Sequence, residues 1–170
     1  MDLNLQIIIS LMFVIIPQFL LCFYLIHKYG KVLTNDMGAK VGENFNIELL
    51  NNSDIIKSIS IENLRKSKIL LCFVSTDCPS CNEVIKYMNE NLVDEFNKIY
   101  FVIEGQKNKV EDWYLNNKYT FHATYIEEDI LLEELKINRF PFAFCLNESV
   151  VINKGPLFKE IIPNYISSVT

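Results

Sequence analysis

A chain of 170 residues has room for one domain of ordinary size and a short additional segment. Its net charge of −5 and its pI of about 5.1, without any cluster of basic residues, argue against nucleic acid as a partner. No internal repeat or low-complexity tract interrupts the sequence.

The N-terminal segment is predicted to be a membrane anchor. No charged side chain occurs from Leu3 to Ile26, and roughly 24 residues at helical rise span about 36 Å, enough to cross the hydrocarbon core with some tilt. A cleaved signal peptide fits less well, because no basic flank precedes the segment and no small-x-small site ends it. We expect residues 1–28 to form a transmembrane signal anchor and residues 29–44 a juxtamembrane linker.

The folded domain is predicted to span residues 45–170 and to begin with a β-hairpin. Residues 45–49 alternate apolar and polar side chains, Asn51-Asn52 supplies a turn, and residues 55–61 alternate loosely.

Strands and helices then alternate, which predicts parallel pairing in an α/β sheet. The predicted strands are residues 69–74, 99–103, 121–126, 142–146 and 150–152. Four helices are predicted. The first follows the strand at 69–74, and the other three are marked by apolar residues on one face: Val110, Trp113 and Tyr114 in the second, Leu131, Leu132 and Leu135 in the third, and Leu157, Phe158, Ile161 and Ile162 in the fourth. Pro163 is expected to kink or stop the last helix.

The most informative feature is Cys78-Pro79-Ser80-Cys81, a Cys-x-x-Cys motif at the point where the apolar run 69–74 turns into a helix. The first cysteine would lie at the helix N-terminus, where unpaired backbone N–H groups and the helix dipole favour a thiolate. Cys78 is therefore the candidate nucleophile. Cys81, one turn further into the helix and less exposed, can form a disulfide with Cys78 or resolve a mixed disulfide with a client protein.

The remaining cysteines and the histidines stand apart from this motif. Cys22, Cys72 and Cys145 each lie within an apolar stretch and are expected to pack as small hydrophobic side chains. His27 and His122 are isolated, so no second close pair of Cys or His completes a structural zinc site. We predict neither a metal nor a cofactor.

The order of elements resembles the thioredoxin superfamily, with Phe140-Pro141 leading into the last two strands. Residues 40–45 resemble the segment that opens the redoxin domain of the membrane-anchored TlpA and ResA type redoxins. The anchor followed by residues 27–33 is most similar to the methylamine-utilisation protein D (MauD) subgroup. The resemblance implies a thioredoxin-like mixed sheet flanked by helices and preceded by one N-terminal transmembrane helix.

The resemblance also implies roles for residues outside the cysteine pair. Pro141 falls at the position of the family's cis-proline, beside the active-site disulfide. Client chains would then pair in extended form with the backbone of Phe140. Pro79 lies within the motif and, like Asp77 just before it, is a supporting residue.

The sequence departs from the family where protons are handled. Asp77 replaces an aromatic residue, and its negative charge should disfavour the Cys78 thiolate. Thioredoxins carry a buried acid six residues before the first cysteine, where this chain has Cys72. Either Asp77 or Glu83 takes over part of the proton-accepting role of that acid, or both are solvated surface charges.

The implied function is that of a membrane-tethered thiol–disulfide oxidoreductase, an enzyme acting on client proteins and coupled to a membrane redox partner. Two alternatives share the fold. One is a metal or haem chaperone, for which His122 gives weak support. The other is a peroxiredoxin-like peroxidase, which needs a threonine and a proline where this chain has Ser75 and Leu71.

Two arguments on orientation conflict. Lys28 and Lys31 follow the anchor and no basic residue precedes it, so the positive-inside rule places the large domain in the cytoplasm. Cytosolic thiols are held reduced, however, so a tethered disulfide site is most useful on the oxidising side. With the resemblance, this predicts a single-pass protein of the cell membrane whose catalytic domain is extracytoplasmic.

Overall fold

The computed structural model describes residues 12, 15–25, 37–50, 65 and 67–170. The chain separates into two compact units, Met1–Asp36 and Met37–Thr170. In the first unit, residues 15–25 are helical and their side chains are exposed. No helix within the described residues has both the length and the apolar character that crossing a bilayer requires. Part of the predicted anchor, residues 1–28, and the first half of the predicted linker, residues 29–44, lie outside the described residues.

The second unit is built on five strands that form one mixed sheet. The strands are β1 (Lys68–Ser75), β2 (Ile99–Glu104), β3 (His122–Ile126), β4 (Phe142–Asn147) and β5 (Val150–Pro156). Their order across the sheet is β3-β2-β1-β4-β5. The first three strands are parallel, whereas β4 pairs antiparallel with both β1 and β5. All five predicted strands are confirmed, and β1 lies at the centre.

Among its described residues, the second unit also contains three α-helices and three shorter helical turns. The helices are α1 (Pro79–Asn91), α2 (Lys107–Asn116) and α3 (Ile162–Val169). Ile47–Leu50 and Val93–Lys98 are 3₁₀ helices, and Ile130–Glu134 is a π-helical turn. The predicted alternation of strand and helix is confirmed from β1 to β3.

Both faces of the sheet are buried. Alternate β1 side chains, Leu70, Cys72 and Val74, pack with the three α-helices, and the intervening ones pack in a second core with Phe45 and Ile137. A central strand covered on both sides is apolar at every position, which explains why β1 is an unbroken hydrophobic run.

The predicted N-terminal hairpin is wrong in its first strand. Ile47–Leu50 is a 3₁₀ helix, and Ile47 and Leu50 are its buried residues. Positions three apart share a face in a 3₁₀ helix, so this spacing buries both side chains without a strand. Asn44 makes a single isolated bridge with Val150. The predicted second strand, residues 55–61, lies outside the described residues.

Pro163 has the opposite role to the one predicted. It lies in the first turn of α3, at the start of the helix. A proline is compatible with that position because the first turn leaves backbone N–H groups without intrahelical partners. Leu157 and Ile162 are buried as expected, but Phe158 precedes the helix and is 50% exposed.

Candidate active site

The turn between β1 and α1 places the cysteine motif at the carboxyl end of the central strand. The Cys78 backbone N–H donates to the Ser75 carbonyl at 3.3 Å, and the Asp77 N–H donates to Ser75 Oγ at 3.4 Å. Pro79 is the first residue of α1, where its fixed φ suits a helix start. Ser75 therefore fixes the chain just before the redox pair.

Cys78 and Cys81 form a disulfide, with their Cα atoms 5.2 Å apart. Cys78 is the N-cap residue of α1 in extended conformation, and its Sγ accepts a hydrogen bond from the Cys81 N–H at 3.2 Å. Cys78 is partly exposed, whereas Cys81 is fully buried. These are the positions predicted from the sequence.

This geometry makes the two sulfurs chemically different. An incoming thiolate can reach only a residue that solvent reaches, and of the two cysteines only Cys78 has any exposed surface. After reduction, the N–H of Cys81 and the positive end of α1 both stabilise negative charge on the Cys78 sulfur. The arrangement provides a partly exposed cysteine whose sulfur can attack a disulfide or be attacked by a thiolate, and a buried cysteine that can close the disulfide.

The Phe140–Pro141 peptide bond is cis, in agreement with the prediction for Pro141. The pairing of Phe73 with Phe142 places Pro141 at the end of β1 from which the cysteine motif follows. The Pro141 carbonyl accepts from the Leu157 N–H at 3.0 Å. Within the described part of the chain, the backbone N–H and carbonyl of Phe140 take part in no hydrogen bond. An unpaired backbone segment of this kind is free to pair with an added extended chain.

Asp77 has a partner that sequence analysis missed. Lys109, in the first turn of α2, donates from Nζ to Asp77 Oδ2 at 2.6 Å. The two side chains are 55% and 74% exposed, respectively. Glu83 is also exposed, on the surface of α1. Nothing in the sequence could reveal the ion pair, because 32 positions separate its members.

Asp77 and Lys109 line an open cleft of about 540 Å³ beside the motif. The cleft lies where the carboxyl ends of the parallel strands meet, and four further acidic residues line it: Glu104, Glu127, Glu128 and Asp129. Lys109 is the one basic residue among the described residues that line this cleft.

Cys72 and Cys145 are free, fully buried thiols. Burial raises the pKa of the Cys72 thiol well above its ordinary value, and it raises the pKa of Cys145 to about 12. Cys72 therefore remains a neutral thiol near pH 7 and cannot replace the buried acid that thioredoxins carry. Packing as small hydrophobic side chains is confirmed for both residues. It is wrong for Cys22, which is exposed on the helix over residues 15–25.

His122 lies at the amino end of β3, away from the cysteine pair. Its ring stacks on Tyr100 at a centroid distance of 5.3 Å, and the strand register aligns both with Leu71. Leu71 is four residues before the end of β1, a distance of about 13 Å along a strand. The structure therefore does not bring His122 together with Cys78, and the weak support for a metal chaperone is lost.

No protein-family model matches the chain, and no curated protein matches its sequence. Solved structures do match. StoA from Bacillus subtilis shares 22% identity and superposes with a TM-score of 0.52 over 66% of this chain and 91% of its own. A putative thiol:disulfide interchange protein DsbE from Chlorobium tepidum shares 14% identity with a TM-score of 0.57, covering 79% and 97%.

The thioredoxin domain of a thiol-disulfide oxidoreductase from Bacteroides vulgatus gives a TM-score of 0.55 at 16% identity, over 81% of this chain and 98% of that domain. Identities this low establish a shared fold. The mixed sheet flanked by helices, with a close cysteine pair at a helix N-terminus, is the thioredoxin-like fold.

Proposed function

We propose that the protein is a membrane-tethered thiol–disulfide oxidoreductase that exchanges disulfides with extracytoplasmic client proteins. The observation that carries this proposal is the Cys78–Cys81 disulfide, with one sulfur accessible at a helix N-terminus and the other buried behind it. The fold shared with thiol–disulfide oxidoreductases supports it.

The exchange starts from the disulfide state. A client thiolate attacks Cys78 Sγ, which breaks the Cys78–Cys81 bond, forms a mixed disulfide and leaves Cys81 as a thiolate that takes up a proton. A second client thiolate then attacks the client sulfur of the mixed disulfide, forms the client disulfide and releases Cys78. Two electrons and two protons pass from the client dithiol to the cysteine pair.

The reverse sequence reduces a client disulfide. In that direction Cys78 attacks the client, and Cys81 resolves the mixed disulfide. A dithiol or disulfide of a membrane redox partner returns the pair to its starting state. The client backbone pairs with that of Phe140, next to the cis-Pro141, because no described residue occupies those backbone groups.

The tether in this proposal is the uncharged segment from Leu3 to Ile26. We place the protein in the cell membrane as a single-pass protein near the methylamine-utilisation protein D subgroup, with the bilayer as a partner of the N-terminal segment. The catalytic domain faces the extracytoplasmic side, where disulfides persist.

Trapping of mixed disulfides tests the reaction. In a Cys81→Ser variant the resolving sulfur is absent, so client proteins should stay attached to Cys78 and appear as reductant-sensitive adducts on a non-reducing gel. The Cys78→Ser variant is the matched control and should form none. No adducts from Cys81→Ser, together with copper or zinc bound to the purified wild type, would support a chaperone instead.

Labelling in intact cells tests the orientation. A Cys22→Ser/Cys81→Ser variant keeps Cys78 as its one accessible cysteine among the described residues, since Cys72 and Cys145 are buried. An impermeant maleimide should label this variant without lysis. Labelling that requires lysis would place the domain in the cytoplasm.

A further inference from the structure

The ion pair between Asp77 and Lys109 joins the residue before the nucleophile to a helix distant in sequence. The Nζ–Oδ2 distance of 2.6 Å is that of a charge-assisted hydrogen bond. Asp77 is directly bonded to Cys78, so its carboxylate is the sequence-nearest negative charge to the reacting sulfur.

The surroundings of this pair are strongly acidic. Glu104, Glu127, Glu128 and Asp129 line the same cleft as Asp77. Their combined negative charge disfavours a thiolate on the residue that follows Asp77, because like charges raise the free energy of the charged form. Lys109 is the one basic side chain among the described residues of that cleft, and it donates a hydrogen bond to Asp77, the acidic residue next to Cys78.

We propose that Lys109 is a positioning residue of the redox site, which holds and neutralises Asp77 and thereby keeps Cys78 reactive as a thiolate. The inference rests on the proposed function. It can nevertheless be tested separately from the proposed function, because the reactivity of the Cys78 thiolate can be measured without any client protein.

The consequence for the redox equilibrium has a definite sign. A more stable Cys78 thiolate stabilises the reduced pair relative to the disulfide and makes the reduction potential less negative. Loss of Lys109 leaves the Asp77 charge uncompensated. The thiolate is then less stable and the potential becomes more negative.

The first arm of the test measures Cys78 alkylation in a Cys22→Ser/Cys81→Ser background. Lys109→Met should slow the reaction with iodoacetamide, at a fixed pH below the thiol pKa, by about threefold, the effect of one exposed charge at short range. Asp77→Asn should accelerate it by a similar factor. In the Asp77→Asn background, Lys109→Met should have a smaller effect, since Asp77 no longer holds the Lys109 ammonium group next to the motif.

Lys107→Met is the matched control. Lys107 lies in the same turn of α2, does not line the cleft, and forms no ion pair among the residues that the structure describes. This variant removes the same charge from the same helix and should leave the alkylation rate unchanged. High salt should also shrink the effect of Lys109→Met, because exposed charges are screened.

The second arm measures the reduction potential of the Cys78–Cys81 pair in glutathione buffers. Lys109→Met should shift it to a more negative value, and Asp77→Asn to a less negative one. An equal effect of Lys109→Met with and without Asp77, or no effect at all, would overturn the inference. The alkylation arm remains readable even if no client is ever trapped, so failure of the proposed function and failure of this inference are distinguishable.

Discussion

At the scale of single residues, the cysteines of this chain divide by environment. Cys78 lies at a helix N-terminus and is partly exposed, whereas Cys72 and Cys145 lie within the sheet and are fully buried. Burial removes the water that would stabilise a thiolate, so it raises the pKa of both buried thiols. The same residue type thus forms a partly exposed disulfide at one position and packs as a core side chain at the others.

This division predicts an alkaline loss of stability that depends on Cys145. Its folded-state pKa is raised to about 12 from an ordinary 9.0, so the unfolded chain ionises first as the pH rises. The stabilising contribution is complete below pH 9 and is lost between pH 9 and 12. Raising the pH from 8 to 10 should lower the free energy of unfolding of both proteins. The decrease should be about 1.4 kcal/mol smaller in a Cys145→Ala variant than in the parent protein.

Urea unfolding at the two pH values checks this prediction in a Cys78→Ser/Cys81→Ser background, which removes the Cys78–Cys81 disulfide. The constant cost of shortening the side chain cancels, because the comparison is between pH values. Parallel losses in parent and variant would contradict the raised pKa.

At the scale of elements, α3 makes one close contact with the edge strand β5. A Cβ atom on Gly155, in β5, would lie 2.7 Å from the Tyr165 hydroxyl oxygen. Tyr165 is 6% exposed, and its hydroxyl approaches the Pro156 carbonyl at 3.5 Å. The tyrosine ring is rigid and enclosed, so the helix or the strand must move if that space is filled.

Gly155→Ala should therefore destabilise the protein by about 1–3 kcal/mol, the usual range for overpacking. In a Tyr165→Phe background the hydroxyl is absent and the same substitution should cost clearly less. Equilibrium unfolding of the four proteins in this double-mutant cycle measures the difference. The same cost in both backgrounds would show that the clash does not determine the stability of this contact.

The elements also show what hydrophobic pattern can predict. β1 is apolar at six successive positions, from Ile69 to Val74, because both sides of the sheet cover it, and such a run is visible in the sequence. Ile47–Leu50 could not be assigned in this way. Four residues fit both an alternating strand and a 3₁₀ turn, and only the packing of Ile47 and Leu50 in the second core decides between them.

The candidate site likewise contains residues whose positions the sequence predicts and residues whose contacts it does not. The positions of Cys78 and Cys81 follow from local spacing, since a helix start after a strand fixes both of them. Lys109 was not predictable, because its contact with Asp77 depends on how α2 approaches the β1–α1 turn. Local periodicity carries no information on that approach.

At the scale of the whole molecule, the unit that carries the cysteine pair, Met37–Thr170, contains its own hydrophobic core. This unit is called the redox unit below. Every described residue of the two hydrophobic cores on either side of the sheet lies between Met37 and Thr170. The disulfide, the cis-Pro141 and the Asp77–Lys109 pair lie in the same unit. A unit with a closed core and a complete site has what it needs to fold and react alone.

A fragment of residues 37–170 should therefore unfold in a single cooperative urea transition and catalyse the reduction of insulin by dithiothreitol at a rate close to that of the full chain in detergent. The physical reason is that the deletion removes none of the described residues that form the two cores or the candidate site. The same fragment with Cys78→Ser is the matched control and should be inactive while unfolding at a similar midpoint. A broad transition, or a fragment that folds but no longer accelerates the reaction, would show that residues before Met37 contribute directly to the redox unit.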